Sequence, residues 1–253
     1  MRLTIKRWEA LRGGDLTGLP PASVAVLPVG AVEHHGPHLP LGTDAMILDG
    51  ILQALDVPPD AGSEAWAVIL PVQRIGWSVE HRDWPGTLSR SPDRLVADWV
   101  ELGGWVARAG FRRLLILNSH GGNAALTEVT TMRLRAELGL LAARAHWQDL
   151  AGPSNPELAR DWHGGHIETS VMLHLRPDLV HMGAARPPAP RHPPELPPDG
   201  MAAWSWMSGD LDPGGVIGDP SGASAVYGAE LVGRAAEGLR ELLIRLASAP
   251  WPH

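Results

Sequence analysis

Short apolar runs alternate with longer segments of helical spacing over the first 145 residues, and this alternation constrains the fold more than any other feature. Short apolar runs are typical of buried strands, whereas apolar residues recurring every third or fourth position are typical of helices. Strands that alternate with helices predict an α/β fold with a mostly parallel sheet. The predicted strands are residues 23–29, 67–72, 113–117 and 140–145, and the predicted helices between them are residues 44–55, 91–110 and 123–138.

The second half of the chain adds two predicted helices and one irregular segment. Residues 167–175 and 224–247 have helical spacing of apolar residues, and the second of these helices is amphipathic. A proline-rich stretch at residues 187–198 predicts a surface loop rather than a linker. The length of 253 residues fits one large α/β domain or two small ones.

Composition excludes several classes of function. The chain is 44% hydrophobic and 19% charged, which is typical of a globular protein. Its net charge of −7 and its lack of long basic runs argue against nucleic-acid binding. No apolar run is long enough to span a membrane, and the first eight residues lack the apolar core of a signal peptide, so we expect a cytoplasmic protein with no membrane partner. With zero cysteines, any metal must be held by His, Asp and Glu.

The segment VEHHGPHLPLGTD, residues 32–44, carries the clearest chemical signal. Glu33 and His35 are two positions apart, so an extended chain places both side chains on the same side. Asp44 follows nine positions after His35, beyond a loop that can fold back onto the pair. Carboxylates mixed with imidazoles are ligands for Zn²⁺, Mn²⁺ or Fe²⁺. The alternative interpretation is a polar turn with histidines at the surface.

Two further clusters have the same character. NSHGGN, residues 118–123, directly follows a predicted strand and presents His120 beside two glycines. DWHGGHIETS, residues 161–170, places Glu168 in the first turn of a predicted helix, where an unpaired carboxylate beside apolar residues is costly unless it binds a cation or donor. The alternatives are an ordinary loop histidine and a helix-start acid favoured by the dipole. Because ligand sites in parallel sheets lie outside the carboxyl ends of the strands, the first two clusters are expected to meet.

With these motifs, the chain resembles the creatininase family of metal-dependent amidohydrolases. The resemblance covers nearly the whole length, and it rests on LPVGAVEHHGPHLPLGTD (27–44), SVEHRDWPGTLS (78–89), LILNSHGGN (115–123), HGGHIETS (163–170) and GVIGDPSGA (215–223). It implies one creatininase-like domain over residues 1–253, folded as a three-layer α/β/α sandwich. It also implies two divalent metal ions (Zn, Mn or Fe) per subunit and a homo-oligomer, often a hexamer.

The resemblance assigns ligands residue by residue. Glu33, Asp44 and His120 correspond to the ligands of one metal. His35 and Asp44 correspond to ligands of the other, with Asp44 bridging the two ions. Glu168 completes the second site, as in relatives with a Gly-Gly sequence after the histidine, and we count it among the catalytic residues as well.

Other positions depart from the family pattern or have roles that stay open. Enzymes acting on creatinine carry a Tyr-Glu pair where this chain has Gly121 and Gly122, which argues against creatinine as the substrate. His163 matches a histidine thought to shuttle protons, and we expect it to protonate the departing nitrogen. For His34 and His38 we favour a supporting or structural role. Glu80, His81 and His166 are expected beside the site, with Trp77, Trp84, Trp147 and Trp162 either walling a pocket or packing in the core.

These residues predict hydrolysis of a C–N bond in a small-molecule amide: a cyclic amide, a formamide or a related compound. Two metal ions bridged by a carboxylate can lower the pKa of a bound water to about 7 and polarise the carbonyl. The main alternative is a peptidase that trims a small precursor peptide during cofactor maturation. A deformylase and a metal-binding protein without turnover are the remaining hypotheses.

Overall fold

The structure is a computed structural model, and it describes residues 2–55, 64–152, 158, 161–191, 198–199 and 203–251. Its strands are β1 (Leu3–Arg7), β2 (Val24–Val29), β3 (Ala65–Ile69), β4 (Arg113–Asn118) and β5 (Leu141–His146). Its helices are α1 (Thr43–Leu55), α2 (Pro92–Arg108), α3 (Ala124–Leu138), α4 (Trp147–Leu150), α5 (His166–Leu175), α6 (Ser208–Leu211) and α7 (Ala225–Ser248). Short 3-10 turns lie between them.

The five strands form one parallel sheet in the order β1-β3-β2-β4-β5. Alternate side chains of β2 enter two separate cores: Val24 and Val26 on one face, Ala25 and Leu27 on the other. Helices α1, α5 and α7 cover the first face, and α2 and α3 cover the second. Because β2 is buried on both faces, its sequence is almost continuously apolar. The predicted three-layer α/β/α sandwich with a parallel sheet is therefore confirmed.

Two details of the predicted sheet differ from the structure. β3 covers Ala65–Ile69 rather than residues 67–72, because its first residues pair with the edge strand β1, in the register Leu3↔Ala65. β1 itself was not predicted, since it is a half-buried edge strand without a continuous apolar run. The other predicted elements are confirmed to within two residues.

The proline-rich segment is described only in part. Residues 187–191 and 198–199 contain neither helix nor strand, as predicted, and residues 192–197 lie outside the described residues. Among the helices of the described part, none combines the length and the apolar character that crossing a bilayer requires.

Candidate metal centre

Four parts of the fold bring five acidic and imidazole side chains together at the carboxyl edge of the sheet. Glu33 and His35 lie in the loop after β2, Asp44 lies in the first turn of α1, His120 follows β4, and Glu168 lies in the first turn of α5. All five are at most 4% exposed. These are the five side chains that the sequence predicted as metal ligands.

The first donor group consists of Glu33, Asp44 and His120, whose nearest ligand atoms lie within 4.8 Å of one another. Nδ1 of His120 lies 3.2 Å from Oε1 of Glu33 and 3.6 Å from Oδ2 of Asp44. Two donors bound to one tetrahedral zinc at about 2.1 Å lie about 3.4 Å apart. The spacing in this group therefore suits a shared ion.

The second donor group consists of His35, Asp44 and Glu168, again within 4.8 Å. Nε2 of His35 lies 3.6 Å from Oδ1 of Asp44 and 3.7 Å from Oε2 of Glu168. Asp44 thus presents one carboxylate oxygen to each group, which is the arrangement that a bridging carboxylate requires.

Backbone carbonyls orient both histidines. Nδ1 of His35 lies 3.0 Å from the carbonyl oxygen of Glu33, and Nε2 of His120 lies 2.8 Å from the carbonyl oxygen of Trp77. A ring nitrogen that faces a carbonyl must carry a proton, so the other nitrogen, which faces the carboxylates, is the one that can bind a metal ion once it loses its proton. Metal-binding histidines are commonly fixed in this way.

Several buried atoms of the centre have no hydrogen-bond partner among the residues that the structure describes. They are both carboxylate oxygens of Glu33, Nε2 of His35 and Oδ2 of Asp44. Buried polar atoms are nearly always satisfied in folded proteins, and leaving one unpaired costs about 1–3 kcal/mol. Since the unpaired atoms are hard oxygen and imidazole donors that face one another, they fit a divalent cation such as Zn²⁺, Mn²⁺ or Fe²⁺.

The pKa values of the metal-free centre also indicate a site for a cation. Burial disfavours the charged form of His35, but the neighbouring Asp44 and Glu168 carboxylates outweigh it and raise the pKa of His35 to about 10. The pKa of His120 is also raised to about 10, because Glu33 and Asp44 outweigh its burial. Burial raises the pKa of Glu168 to about 8. Without metal, the centre therefore compensates its negative charge by holding protons.

His163 lies beside these groups and is fixed by a backbone contact. Its Nε2 lies 2.6 Å from the carbonyl oxygen of His34, so Nδ1 carries the lone pair, 3.4 Å from Oε1 of Glu33. Its ring lies between His35 and His81, with centroids 4.3 and 4.1 Å away. Burial, together with the charge of His35, holds the pKa of His163 well below its usual range. His163 is therefore a neutral imidazole whose basic nitrogen faces the centre.

The remaining histidines occupy distinct positions. Nε2 of His34 faces the carbonyl oxygen of Gly214, and its ring stacks on Trp84. His38 is buried, with Nε2 3.0 Å from Oγ1 of Thr169. Both arrangements agree with the supporting role that we favoured for them.

His166 has a different environment. Its ring packs against Tyr227, with centroids 5.3 Å apart, and it belongs to none of the donor groups among the described residues.

The sequence analysis missed the role of Asp161, and it named Glu80 and His81 only as residues expected beside the site. Asp161 holds the start of α5: its carboxylate accepts hydrogen bonds from the backbone N–H of His166 and of Ile167, at 2.8 and 2.6 Å. Glu80 and His81 form a further donor group with Glu33. An acid a few residues before a predicted helix is a usable capping signal, whereas the approach of Glu80 to Glu33 depends on tertiary folding.

A cleft of about 650 Å³ opens above the centre, and we call it the metal cleft. Glu33, His120 and His163 lie among its lining residues, and its walls carry four tryptophans: Trp77, Trp162, Trp204 and Trp206. Oγ of Ser208 donates to the carbonyl oxygen of Glu80 at 3.1 Å, which ties the segment that carries Trp204 and Trp206 to the site.

Only two of the four tryptophans suggested by the sequence line the metal cleft. These are Trp77 and Trp162. Trp147 is fully buried in the core, where it packs under α7, and Trp84 stacks on His34 instead. Of the two alternatives left open for these tryptophans, Trp77 and Trp162 follow the pocket wall and Trp147 follows core packing, whereas the sequence analysis missed Trp204 and Trp206.

Gly122 leaves no room for a side chain. A Cβ atom at this position would press against the carbonyl oxygen of Trp77 and lie 2.7 Å from Oε1 of Glu80. At Gly121, by contrast, a Cβ would meet no atom within 4 Å. A Tyr-Glu pair at 121–122 would thus need a rearrangement of the neighbouring loop.

Comparison with known proteins identifies relatives of this chain. The sequence model of the family described as "Creatininase: Creatinine amidohydrolase" matches residues 14–243. The mycofactocin precursor peptide peptidase of Mycobacterium tuberculosis is 37% identical over 215 residues, which are 80% of this chain and 77% of the relative. The creatinine amidohydrolase of Pseudomonas putida is 29% identical over 211 residues, 74% of this chain and 76% of the relative.

The fold has matching crystal structures. A creatinine amidohydrolase (creatininase) superposes with a TM-score of 0.77 at 20% identity, covering 96% of this chain and 98% of the other. At this level of identity the likeness concerns the fold alone.

Proposed function

We propose that this chain, which belongs to the creatininase family of amidohydrolases, is a metal-dependent peptidase that hydrolyses an amide bond of a short peptide. This is the alternative named in the sequence analysis. The observation that carries it is the open metal cleft of about 650 Å³ with unpaired donor atoms on its floor. The 37% identity with a precursor peptide peptidase supports the same assignment.

Two divalent ions per chain are part of the proposal. Glu33, Asp44 and His120 would hold one ion, and His35, Asp44 and Glu168 would hold the other, with Asp44 shared. Creatininase structures of the same fold exist in a manganese form and in a zinc–zinc form, with TM-scores of 0.74 and 0.73. Oxygen and imidazole donors accept either metal, so availability would decide between them.

The protein's own residues supply the remaining chemistry. Bound ions of this kind activate a water and polarise a carbonyl. The lone pair on Nδ1 of His163 faces the centre, so this nitrogen can take up a proton there and deliver it to the departing amine nitrogen. His163 is held in one tautomer by the carbonyl oxygen of His34, which keeps the basic nitrogen directed at the reacting groups.

The size of the metal cleft favours a peptide over a small ring. Pockets of about 300–1,000 Å³ enclose drug-sized molecules, which are comparable to a few amino-acid residues. The tryptophans around the opening offer flat apolar surface for side chains on either side of the scissile bond. Steric exclusion of a side chain at Gly122 further separates this site from enzymes that carry a glutamate at that position.

A small cyclic amide or formamide, the leading expectation from the sequence, is the second candidate. It is supported by the 29% identity with the creatinine amidohydrolase of Pseudomonas putida. The same donor groups would serve either substrate, because both reactions need an activated water and a protonated leaving nitrogen.

The experiment offers the metal-loaded protein a set of peptides of four to ten residues alongside creatinine and formylated amines, with products identified by mass spectrometry. We expect cleavage of peptides and little turnover of creatinine. Asp44→Asn should abolish this cleavage, whereas Asp49→Asn, at a half-buried position on the same helix that pairs with Arg74, should not change it. Turnover of the small amides alone would contradict the peptidase assignment and leave the hydrolase assignment intact.

Two further parts of the proposal concern organisation. We infer that residues 1–253 form a single catalytic domain and that the chain assembles as a homo-oligomer. Light scattering coupled to gel filtration measures the mass directly, and a monomer of 27.1 kDa would contradict the second point.

A further inference from the structure

A second cavity lies at the opposite edge of the sheet, and we propose that it binds a small dianion carrying phosphate or carboxylate groups. It has a volume of about 660 Å³, and we call it the arginine cleft. Three arginines line it (Arg112, Arg113 and Arg135), together with Trp251, and none of its described lining residues is acidic. Arg113 is the first residue of β4, whereas His120 of the metal centre follows the end of that strand.

Arg113 contributes a positive charge that no carboxylate in the described part of the chain neutralises. Its three guanidinium nitrogens donate to the backbone carbonyl oxygens of Leu246, Pro21 and Ala249, at 2.8, 3.1 and 2.9 Å. These hydrogen bonds fix the side chain, but carbonyl groups are neutral dipoles. The wall of the arginine cleft therefore carries a rigidly held cation.

Arg112 and Arg135 add two more charges. Neither forms an ion pair with any residue in the described part of the chain, although many of the other arginines there do. The Arg135 guanidinium lies over the ring of Trp251, 4.5 Å from its centroid. The indole is itself anchored, because its Nε1 donates to the carbonyl oxygen of Gly139 at 3.1 Å.

A purely structural explanation covers only part of this arrangement. Arg135 lies in the last turn of α3, where a positive charge interacts favourably with the helix dipole. Arg112, however, lies between α2 and β4 and belongs to no helix. Three cations without an acid in one concave surface are also unexpected in a chain with a net charge of −7.

The chemistry of the lining defines the ligand class. Guanidinium groups match the geometry of carboxylates and phosphates, and hydrogen bonds between charged partners are the stronger kind. Two unpaired arginines beside a third, fixed one balance an anion with two negative charges. The volume of the arginine cleft is in the range of small-molecule sites.

The test is calorimetric titration of the metal-loaded protein at low salt. Phenyl phosphate represents a phosphate ligand, phthalate a carboxylate ligand, and benzyl alcohol an uncharged ligand of similar size. The variant is Arg112→Gln combined with Arg135→Gln. Arg108→Gln is the matched control, because Arg108 also lies over a tryptophan, Trp105, at 5.2 Å, but outside the arginine cleft.

We expect one phenyl phosphate or phthalate to bind per chain and benzyl alcohol not to bind. The double variant should bind the anions at least tenfold more weakly, and Arg108→Gln should bind them with unchanged affinity. The anion that binds more tightly shows whether the natural ligand carries phosphate or carboxylate groups. The proposal is overturned if neither anion binds saturably up to millimolar concentration, or if Arg108→Gln weakens binding equally. Binding that survives the double variant and disappears in Asp44→Asn would place the anion at the metal centre and also overturn it.

Discussion

Asp44 lies 3.6 Å from His35, between the Oδ1 and Nε2 atoms, while its other carboxylate oxygen faces His120 at the same distance. One carboxylate in the first turn of α1 therefore joins two donor groups that come from different loops. Asp44 is therefore the only one of the five proposed ligands that belongs to both proposed groups. Substitution of Asp44 should affect both metal ions, whereas substitution of another ligand should affect one.

We predict that Asp44→Ala loses both metal ions and that Glu168→Ala loses one. Asp44 contacts both donor groups, whereas Glu168 belongs only to the group with His35. Elemental analysis per chain, on protein purified without chelator, measures the result. Asp49→Ala is the control, because Asp49 is half-buried on the same helix, outside the donor groups, and pairs with Arg74. Equal metal content in all variants would contradict the binuclear assignment.

Metal affinity should rise with pH across the neutral range. His35 and His120 in the metal-free protein have pKa values raised to about 10, so at pH 7 both rings are protonated and must lose their protons before binding a cation. As pH rises towards 10, this competition weakens. Calorimetry in buffers of different ionisation enthalpy should show proton release on binding. Affinity that falls with rising pH would contradict the proposed ligands.

His163→Ala should keep both metals and lose about 10²–10⁴-fold in kcat. The reason is that His163 offers its basic nitrogen to the centre but is expected to move protons rather than to hold an ion. The pH profile of the residual activity should change, which a packing defect would not produce. His174→Ala, an exposed position on α5, is the control. Full turnover with both metals present would remove the proposed role.

The elements and three of the site's loops were predictable because their signals are local. Buried parallel strands such as β2 are nearly continuous apolar runs, and Glu33, His35 and His120 directly follow such strands. Glu168 was readable as a carboxylate at the start of an apolar helix. For each of these ligands, the type of side chain and its place at the end of a strand or the start of a helix can be read from about ten consecutive residues.

The walls of the metal cleft were not predictable, because tertiary contacts place them. Trp204 and Trp206 come from a segment more than 80 residues from Trp77, and no periodicity marks them. Trp147 has the same local character as the lining tryptophans but belongs to the core. The edge strand β1 was missed because its half-buried side chains carry only a weak apolar pattern.

Asp161→Ala should destabilise the fold by about 1–2 kcal/mol, because the carboxylate accepts hydrogen bonds from two backbone N–H groups at the start of α5. Urea unfolding of the metal-free protein measures this free energy without a contribution from bound ions. Asp178→Ala removes an exposed acid that pairs with the exposed Arg176, and the change in unfolding free energy should stay within about 0.5 kcal/mol. Similar losses in both variants would show that Asp161 does not hold the helix.

A pair of adjacent glycines offers the sharpest comparison. Gly122→Ala would force a methyl group against the ring of the proposed ligand His120 and against the carbonyl oxygen of Trp77, which holds that ring in its tautomer. We expect a loss of about 1–3 kcal/mol in stability together with reduced metal content.

Gly121→Ala is the control for this comparison, since a Cβ there meets no atom within 4 Å and neither glycine has a positive φ. It should leave both unfolding free energy and metal content unchanged. Thermal unfolding measures the stability of the two variants, and elemental analysis measures their metal content. If Gly121→Ala and Gly122→Ala behave alike, the tight contact between Gly122, Trp77 and His120 is not what keeps a side chain out of this position.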